Sequence, residues 1–259
     1  MVERYKRGKG KELLGSHQKC WIWGRNLVLE TLAAGRWPIA DLFLSESLAE
    51  EAFQSARARA SELGTAVEVV PPAMLEKLGH TGEHQGYLAR MLAFPYTPFD
   101  QMPLGSGGAP PFVVMLDGIQ DPYNLGAILR SAEVFGAQAA ILPVAGQAGV
   151  SSMVARSSAG AVNRIPITRV ESLERAADAL RERGVFLVGA SEKAEKELES
   201  CDLRVPVCLV VGNEGAGISE AMRARCSILA RIPQYGHVGS LNAAVAAGIF
   251  FYEVRRQRD

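Results

Sequence analysis

From residue 112 onward the chain breaks into short, almost wholly apolar runs: Phe112–Leu116, Gln138–Leu142, Arg164–Thr168, Val185–Ala190, Val207–Val211 and Ile228–Ile232. Helical periodicity falls between or after them, at about Leu125–Phe135, Glu171–Arg183, Ser219–Arg225 and Ser240–Arg255. A strand that is apolar at nearly every position must be covered on both faces, and helices that alternate with strands supply that cover. The spacing therefore predicts an α/β fold with a mostly parallel six-stranded sheet. In such sheets ligands bind beyond the carboxyl ends of the strands. Four polar, glycine-bearing loops fall at that edge: Asp117–Asn124, the stretch from Ser191, Gly212–Gly217 and Pro233–Ser240.

A composition shift precedes this half. Pro95, Pro98, Pro103, Pro110 and Pro111, with Gly105, Gly107 and Gly108 among them, remove backbone donors and add chain entropy, so 95–111 reads as a linker. Before it lies a smaller α/β unit, 19–94. A helix at Asn26–Ala34 stops at Gly35, and a strand follows at Asp41–Ser45. A helix at Leu48–Leu63, a strand at Ala66–Val70, a short helix from Pro71-Pro72 and a strand at Tyr87–Phe94 complete it. Residues 1–18 read as a basic flexible tail.

Twenty-eight basic residues balance twenty-eight acidic ones, so net charge selects no partner. The basic ends, Arg4 to Lys19 and Arg255, Arg256 and Arg258, suit either phosphate contact or solubility. Cys20, Cys201, Cys208 and Cys226 form no CxxC pair, and the four histidines show no metal-ligand spacing, so no metal is expected. No apolar run approaches the roughly 18 residues of a membrane-spanning helix. A cytoplasmic protein with no membrane partner is the expectation.

Three loops carry the polar residues. In the first, Asn124 stands where a helix cap is wanted, and Arg130 projects from the flank of the helix within reach of Glu133. Packing and capping explain both as fully as chemistry does. In the second, Gly212-Asn-Glu-Gly-Ala-Gly217 spaces its glycines as GxxGxG. This is neither the dinucleotide fingerprint nor a Walker loop, and it suggests a backbone that lets a ligand approach closely. Glu214 also fits a solvated turn. In the third, Ser240 can cap the helix that follows, while Asn242, one step inside it, is the residue that packing least requires.

Taken together, Asn124-Leu-Gly-Ala-Ile-x-Arg130, Gly212-Asn-Glu-Gly-Ala-Gly217, and Ile232-Pro followed by Ser240-Leu-Asn242 resemble the three motifs of the SpoU family of RNA ribose 2′-O-methyltransferases, within the SPOUT superfamily. Gly24-Arg-Asn-Leu-Val-Leu-Glu30 and His84-Gln-Gly86 resemble the L30e-type RNA-binding domain that precedes many members. The resemblance implies a trefoil-knotted catalytic domain at 112–259, which periodicity would not suggest, since threaded chains are rare. It implies S-adenosyl-L-methionine held by backbone at Gly212, Ile232 and Leu241, and a homodimer. The substrate it implies is RNA: ribosomal RNA first, at a guanosine of the 23S molecule, with transfer RNA or a non-catalytic RNA-binding role as alternatives.

The family's mechanism assigns activation of the ribose hydroxyl to Arg130. A guanidinium stays protonated in proteins, so binding phosphate and stabilising a developing alkoxide is the easier role. By the same resemblance Asn124 orients Arg130 or the ribose, and Glu214, Ser240 and Asn242 complete the pocket. Tyr123, where many members carry a small residue, either reshapes the loop or offers a face to a base. A neutral chain that binds RNA needs local basic surface, expected from the tail, Arg25, Arg36, Arg57, Arg59, Arg156 and Arg164. His84 reads first as a satisfied loop histidine.

Overall fold

A computed structural model describes residues 13–16, 19–105 and 108–259 of the 259-residue chain. Most of the basic tail lies outside the described residues. Within it Leu13 and Leu14 are tethered, against expectation: Leu13 bridges Leu92, and Leu14 N–H bonds Met91 O at 3.1 Å. The chain divides into two compact units, one of residues up to Pro95 together with Val150–Asn163, the other of Tyr96–Gly149 and Arg164–Asp259.

The first unit is built on a mixed four-stranded sheet of β1 (Trp21–Trp23), β2 (Ile39–Ser45), β3 (Ala66–Val70) and β4 (Tyr87–Met91), in the order β1-β4-β2-β3. Its helices are α1 (Arg25–Ala34), α2 (Glu50–Glu62) and α3 (Pro72–Gly79). Gly35 ends α1 in the left-handed conformation, φ 61°, and its N–H bonds Thr31 O. Arg59, expected as part of a basic surface, caps α1 by donating to Leu32 O and Ala33 O, and it also pairs with Glu62. His84 is buried, and its Nδ1 accepts from Gly86 N–H at 3.0 Å, the satisfied loop histidine that was expected.

Residues 150–163 depart from the expected 112–259 unit. They form α5 (Ser152–Ser157) and a 3-10 turn at Ala161–Asn163, and they pack with the first unit. Asn163 Nδ2 bonds Thr31 Oγ1 at 3.0 Å, and the Arg156 guanidinium lies 4.2 Å above the centre of the Trp23 ring. Arg156, expected near the catalytic loops, therefore belongs to the amino-terminal unit.

The second unit holds seven strands rather than six, β5 (Phe112–Asp117), β6 (Ala139–Pro143), β7 (Ile167–Val170), β8 (Phe186–Ala190), β9 (Lys196–Glu197), β10 (Val207–Gly212) and β11 (Ile228–Arg231). Their order is β7-β6-β5-β10-β8-β11-β9, with every pairing parallel. The extra strand, β9, has two residues, too short to leave a period in the sequence. Alternate residues face opposite layers. Val113, Met115, Cys208 and Val210 meet α6 (Leu173–Glu182) and α7 (Glu220–Arg223) in one buried cluster. The other face is covered by α4 (Pro122–Val134) and α8 (Ala243–Arg258), whose Leu125, Ile128, Phe250 and Phe251 are buried.

The proline-rich stretch and the basic carboxyl end are both tied into the second unit. In the proline-rich 95–111 stretch, Met102 joins the same buried cluster, with Phe99 and Leu104 against it. At the carboxyl end Arg258 donates to Leu203, Val205, Pro110 and Pro111 carbonyls, Arg256 pairs with Glu253, and Arg255 donates to Phe135 O. These guanidiniums hold the last helix in place.

All four cysteines are free thiols. Burial pushes each of them up, Cys226 to about 11, helped by the nearby Asp117 carboxylate. Because only the thiolate is nucleophilic, native protein at pH 8 should react with a thiol-selective alkylating reagent far more slowly than unfolded protein does. A mass-spectrometric time course checks this.

Candidate active site

The site begins where β5 and β10 end side by side, with Gly212 in register with Asp117. β5 has its sequence successor β6 on one side and β10 on the other, so the strand order switches there and a crevice opens. Three loops are fastened across it. Asp117 Oδ2 accepts from Ser219 N–H at 2.6 Å. Asn213 Nδ2 donates to Gly118 O at 2.9 Å, and its Oδ1 accepts from Gly215 and Ala216 N–H. Gln147 Oε1 accepts from Ile119 N–H at 2.7 Å.

Asn213 also pairs backbone to backbone with Gly217, so the 213–217 loop closes on itself. A methyl group at Gly212 would overlap the backbone of Gly217 and Ile218. Gly217 sits at φ 70°. Gly212 and Gly217 are thus required by the loop's own return. Asn213 was missed as a candidate, although asparagine directly before a turn is the residue whose side chain folds back on its own backbone.

Asn124 does not cap its helix. Asp121 does, accepting from Tyr123 and Asn124 N–H. With the cap filled, the Asn124 side chain crosses the crevice, its Nδ2 donating to Glu214 Oε1 at 2.5 Å. Its Oδ1 accepts from Asn242 Nδ2 at 2.9 Å. Asn242, not Ser240, is the cap of α8, its Oδ1 accepting from Ala244 and Val245 N–H. One asparagine thus ties together a residue from each of the three loops. Asn242→Ala removes the cap and one arm of this relay and should lower unfolding free energy by about 1–2 kcal/mol. Ser240→Ala should stay within about 0.5 kcal/mol, as for an exposed residue away from such features. Chemical denaturation of the two variants separates them.

Beside the relay is a cleft lined by Gly212, Glu214, Ile232, Ser240 and Leu241, floored by the small residues Ala190, Ala230, Ala243 and Ala246. Glu192, Lys193 and Arg223 stand around it. Gly212, Ile232 and Leu241, picked from the sequence as cofactor contacts, share this one cleft. Arg130 does not line it. The Arg130 side chain is exposed on α4 and makes no hydrogen bond or ion pair among the described residues, Glu133 included. Asn124 commits its side chain to Glu214 and Asn242 rather than to Arg130, which leaves the ribose as the other expected target of its orientation.

Among the described residues no cluster of histidine, cysteine, aspartate and glutamate could hold a metal ion, and no helix is long and apolar enough to cross a membrane. A small-residue cleft at the switch point of an all-parallel sheet, edged by carboxylate and amide groups, is where α/β proteins of this architecture bind a ligand.

Comparison with known proteins narrows that architecture to a family. Residues 111–252 match the SpoU rRNA Methylase family, and residues 21–97 match the family described as RNA 2′-O ribose methyltransferase substrate binding. The 23S rRNA (guanosine-2′-O-)-methyltransferase RlmB of Coxiella burnetii is 37% identical over 242 residues, 92% of this chain and 96% of that one. The SpoU methyltransferase AviRb of Streptomyces viridochromogenes, solved in complex with S-adenosylmethionine, aligns with a TM-score of 0.78 at 29% identity over 92% of this chain and 90% of its own. An S-adenosylmethionine-bound rRNA methyltransferase of Sinorhizobium meliloti aligns at 0.80 and 29%, over 92% and 87%. The chain belongs to the SpoU rRNA methylase family. It is an RNA ribose 2′-O-methyltransferase that uses S-adenosylmethionine.

Proposed function

We propose that the enzyme methylates the 2′-hydroxyl of one guanosine in 23S ribosomal RNA, and that its site is the cleft beside the Asn242–Asn124–Glu214 relay. The relay carries this reading, because it joins all three motif segments at the rim of the cleft. The guanosine and the ribosomal substrate are supported by the likeness to RlmB over nearly the whole length of both chains. The amino-terminal unit, L30e-like in this reading, would hold the RNA.

The cleft suits the donor chemically. Small side chains and loop backbone leave room for an adenosine, Glu214 and Glu192 suit a sulfonium cation, and Lys193 and Arg223 suit a carboxylate. Gly212, Ile232 and Leu241 would hold the donor, which supplies an activated methyl group. The chain's own residues must then position the ribose hydroxyl in line with that methyl and assist loss of its proton. Glu214 fixes the Asn124 amide and Asn242 fixes its carbonyl, so the first and third loops keep one spacing. Ser240 offers a hydroxyl at the cleft wall. Arg130, with all its donors uncommitted, binds the phosphate beside the target ribose and stabilises charge developing on the 2′-oxygen.

The same reading includes the trefoil knot, with α8 as the threaded segment, and a homodimer. The exposed face shared by α4 and α8 supports the dimer: Tyr123, Val134, Val245, Ile249 and Tyr252 are all solvent-facing there, an apolar face of the kind that marks an interface. Val245→Glu combined with Tyr252→Glu should convert a dimer into a monomer, read by light scattering on a sizing column.

The deciding experiment is transfer of labelled methyl from S-adenosylmethionine to unmodified ribosomal and transfer RNA, assayed apart, with the product mapped. Label at one guanosine ribose of 23S RNA is the expected result. Label in transfer RNA alone would overturn the substrate, and label on a base would overturn the site chemistry.

A further inference from the structure

The amino-terminal unit has a second cleft, lined by Lys19, Trp23, His80 and, from the returning segment 150–163, Ser151, Ser152 and Met153. Neither half of the sequence builds it alone. Trp23, one of its walls, carries a cation: the Arg156 guanidinium carbon sits 4.2 Å from the centre of the indole ring, and the same guanidinium reaches Glu83 only at 3.4 Å. Lys19 and His80 are exposed, and their side chains make no hydrogen bond or ion pair among the described residues. Met153 exposes 42% of its surface beside them.

Each component has the same complement. A guanidinium–indole pair, an imidazole and a thioether present flat polarisable faces to another π-system. Lys19 and Arg156 supply positive charge for flanking phosphates, and Ser151 and Ser152 supply polar groups for a base edge. We propose that this cleft takes one unpaired nucleobase of the RNA substrate. It would thereby anchor a single-stranded segment apart from the nucleotide being methylated. The inference rests on the reading of the chain as an RNA-modifying enzyme and adds a recognition subsite to it.

The test uses the full chain and two fluorescent probes of equal phosphate number, hexaadenylate and a hexamer of abasic ribose phosphates, followed by anisotropy. Wild type should bind hexaadenylate at least about tenfold more tightly than the abasic probe, in line with the worth of base stacking on aromatic side chains. The double variant His80→Ala, Met153→Ala changes two exposed residues and should fold. It should lose about tenfold in affinity for hexaadenylate and less than about twofold for the abasic probe. Arg156→Ala should weaken both probes, the base-bearing one more. Equal losses for the two probes, or no loss in either variant, would overturn the base-binding cleft. Absence of methyl transfer to any RNA by a wild-type chain that still prefers hexaadenylate would instead remove the proposed reaction and leave the cleft standing.

Discussion

Arg130→Ala should slow methyl transfer at saturating substrates by about 10²–10³-fold, the usual cost of deleting one group aimed at developing charge. The structure makes this a clean experiment. The Arg130 side chain is exposed and makes no hydrogen bond or ion pair among the described residues, so truncating it breaks none. Stability should change by no more than about 0.5 kcal/mol. Affinity for S-adenosylmethionine, measured by calorimetry, should not move either, since Arg130 does not line the donor cleft. Arg130→Lys keeps the charge but loses the planar fork that grips phosphate oxygens, so it should recover only part of the rate. A rate within about threefold of wild type in the alanine variant would contradict any role of Arg130 in the transition state. A joint loss of rate and donor affinity would mean that the side chain organises the cleft after all.

What the sequence could and could not show follows from where each interaction lies along the chain. The strands β5, β8 and β10 are legible because an apolar run enclosed by helices has only one way to be covered. β1 and β9 are three and two residues long, and no period can be read from so few. Residues 150–163 carry nothing local that says they leave the catalytic half. Their attachment is a hydrogen bond from Asn163 to Thr31 and a cation over Trp23, contacts spanning more than a hundred residues. The same limit applies to the site. Asn124, Glu214 and Asn242 were picked out as residues, but their relay was not, because its bonds span 90 and 118 residues. Capping shows the reverse case. Asp121 and Asn242 are ordinary cap residues, and misplacing each helix start by a few positions was enough to assign the role to Asn124 and Ser240 instead.

Gly212→Ala should sharply weaken donor binding, and for a steric reason that is specific to this position. β10 ends at Gly212 and the chain turns back at once, so that Asn213 and Gly217 exchange backbone hydrogen bonds. An added methyl at residue 212 would lie inside the backbone of Gly217 and Ile218, neither of which can rotate away as a side chain could. Relief requires opening the Asn213–Gly217 pair. That would also release the Asn213 side chain from Gly118 O and shift Glu214 away from Asn124. Overpacking of this kind costs about 1–3 kcal/mol, which a domain of ordinary stability survives, so the variant should fold with a lowered melting temperature. Its affinity for S-adenosylmethionine should fall at least about a hundredfold, because the wall of the cleft is the displaced loop itself and about 2.7 kcal/mol of binding is lost. Gly215→Ala is the control: a methyl there meets only Asn213 Oδ1 at 3.5 Å, an ordinary contact, and should leave the melting temperature nearly unchanged. Equal behaviour of the two variants in calorimetry would mean that the loop does not form the donor wall. A Gly212→Ala chain that melts lower yet binds the donor normally would place the cofactor elsewhere than the cleft at the end of β10.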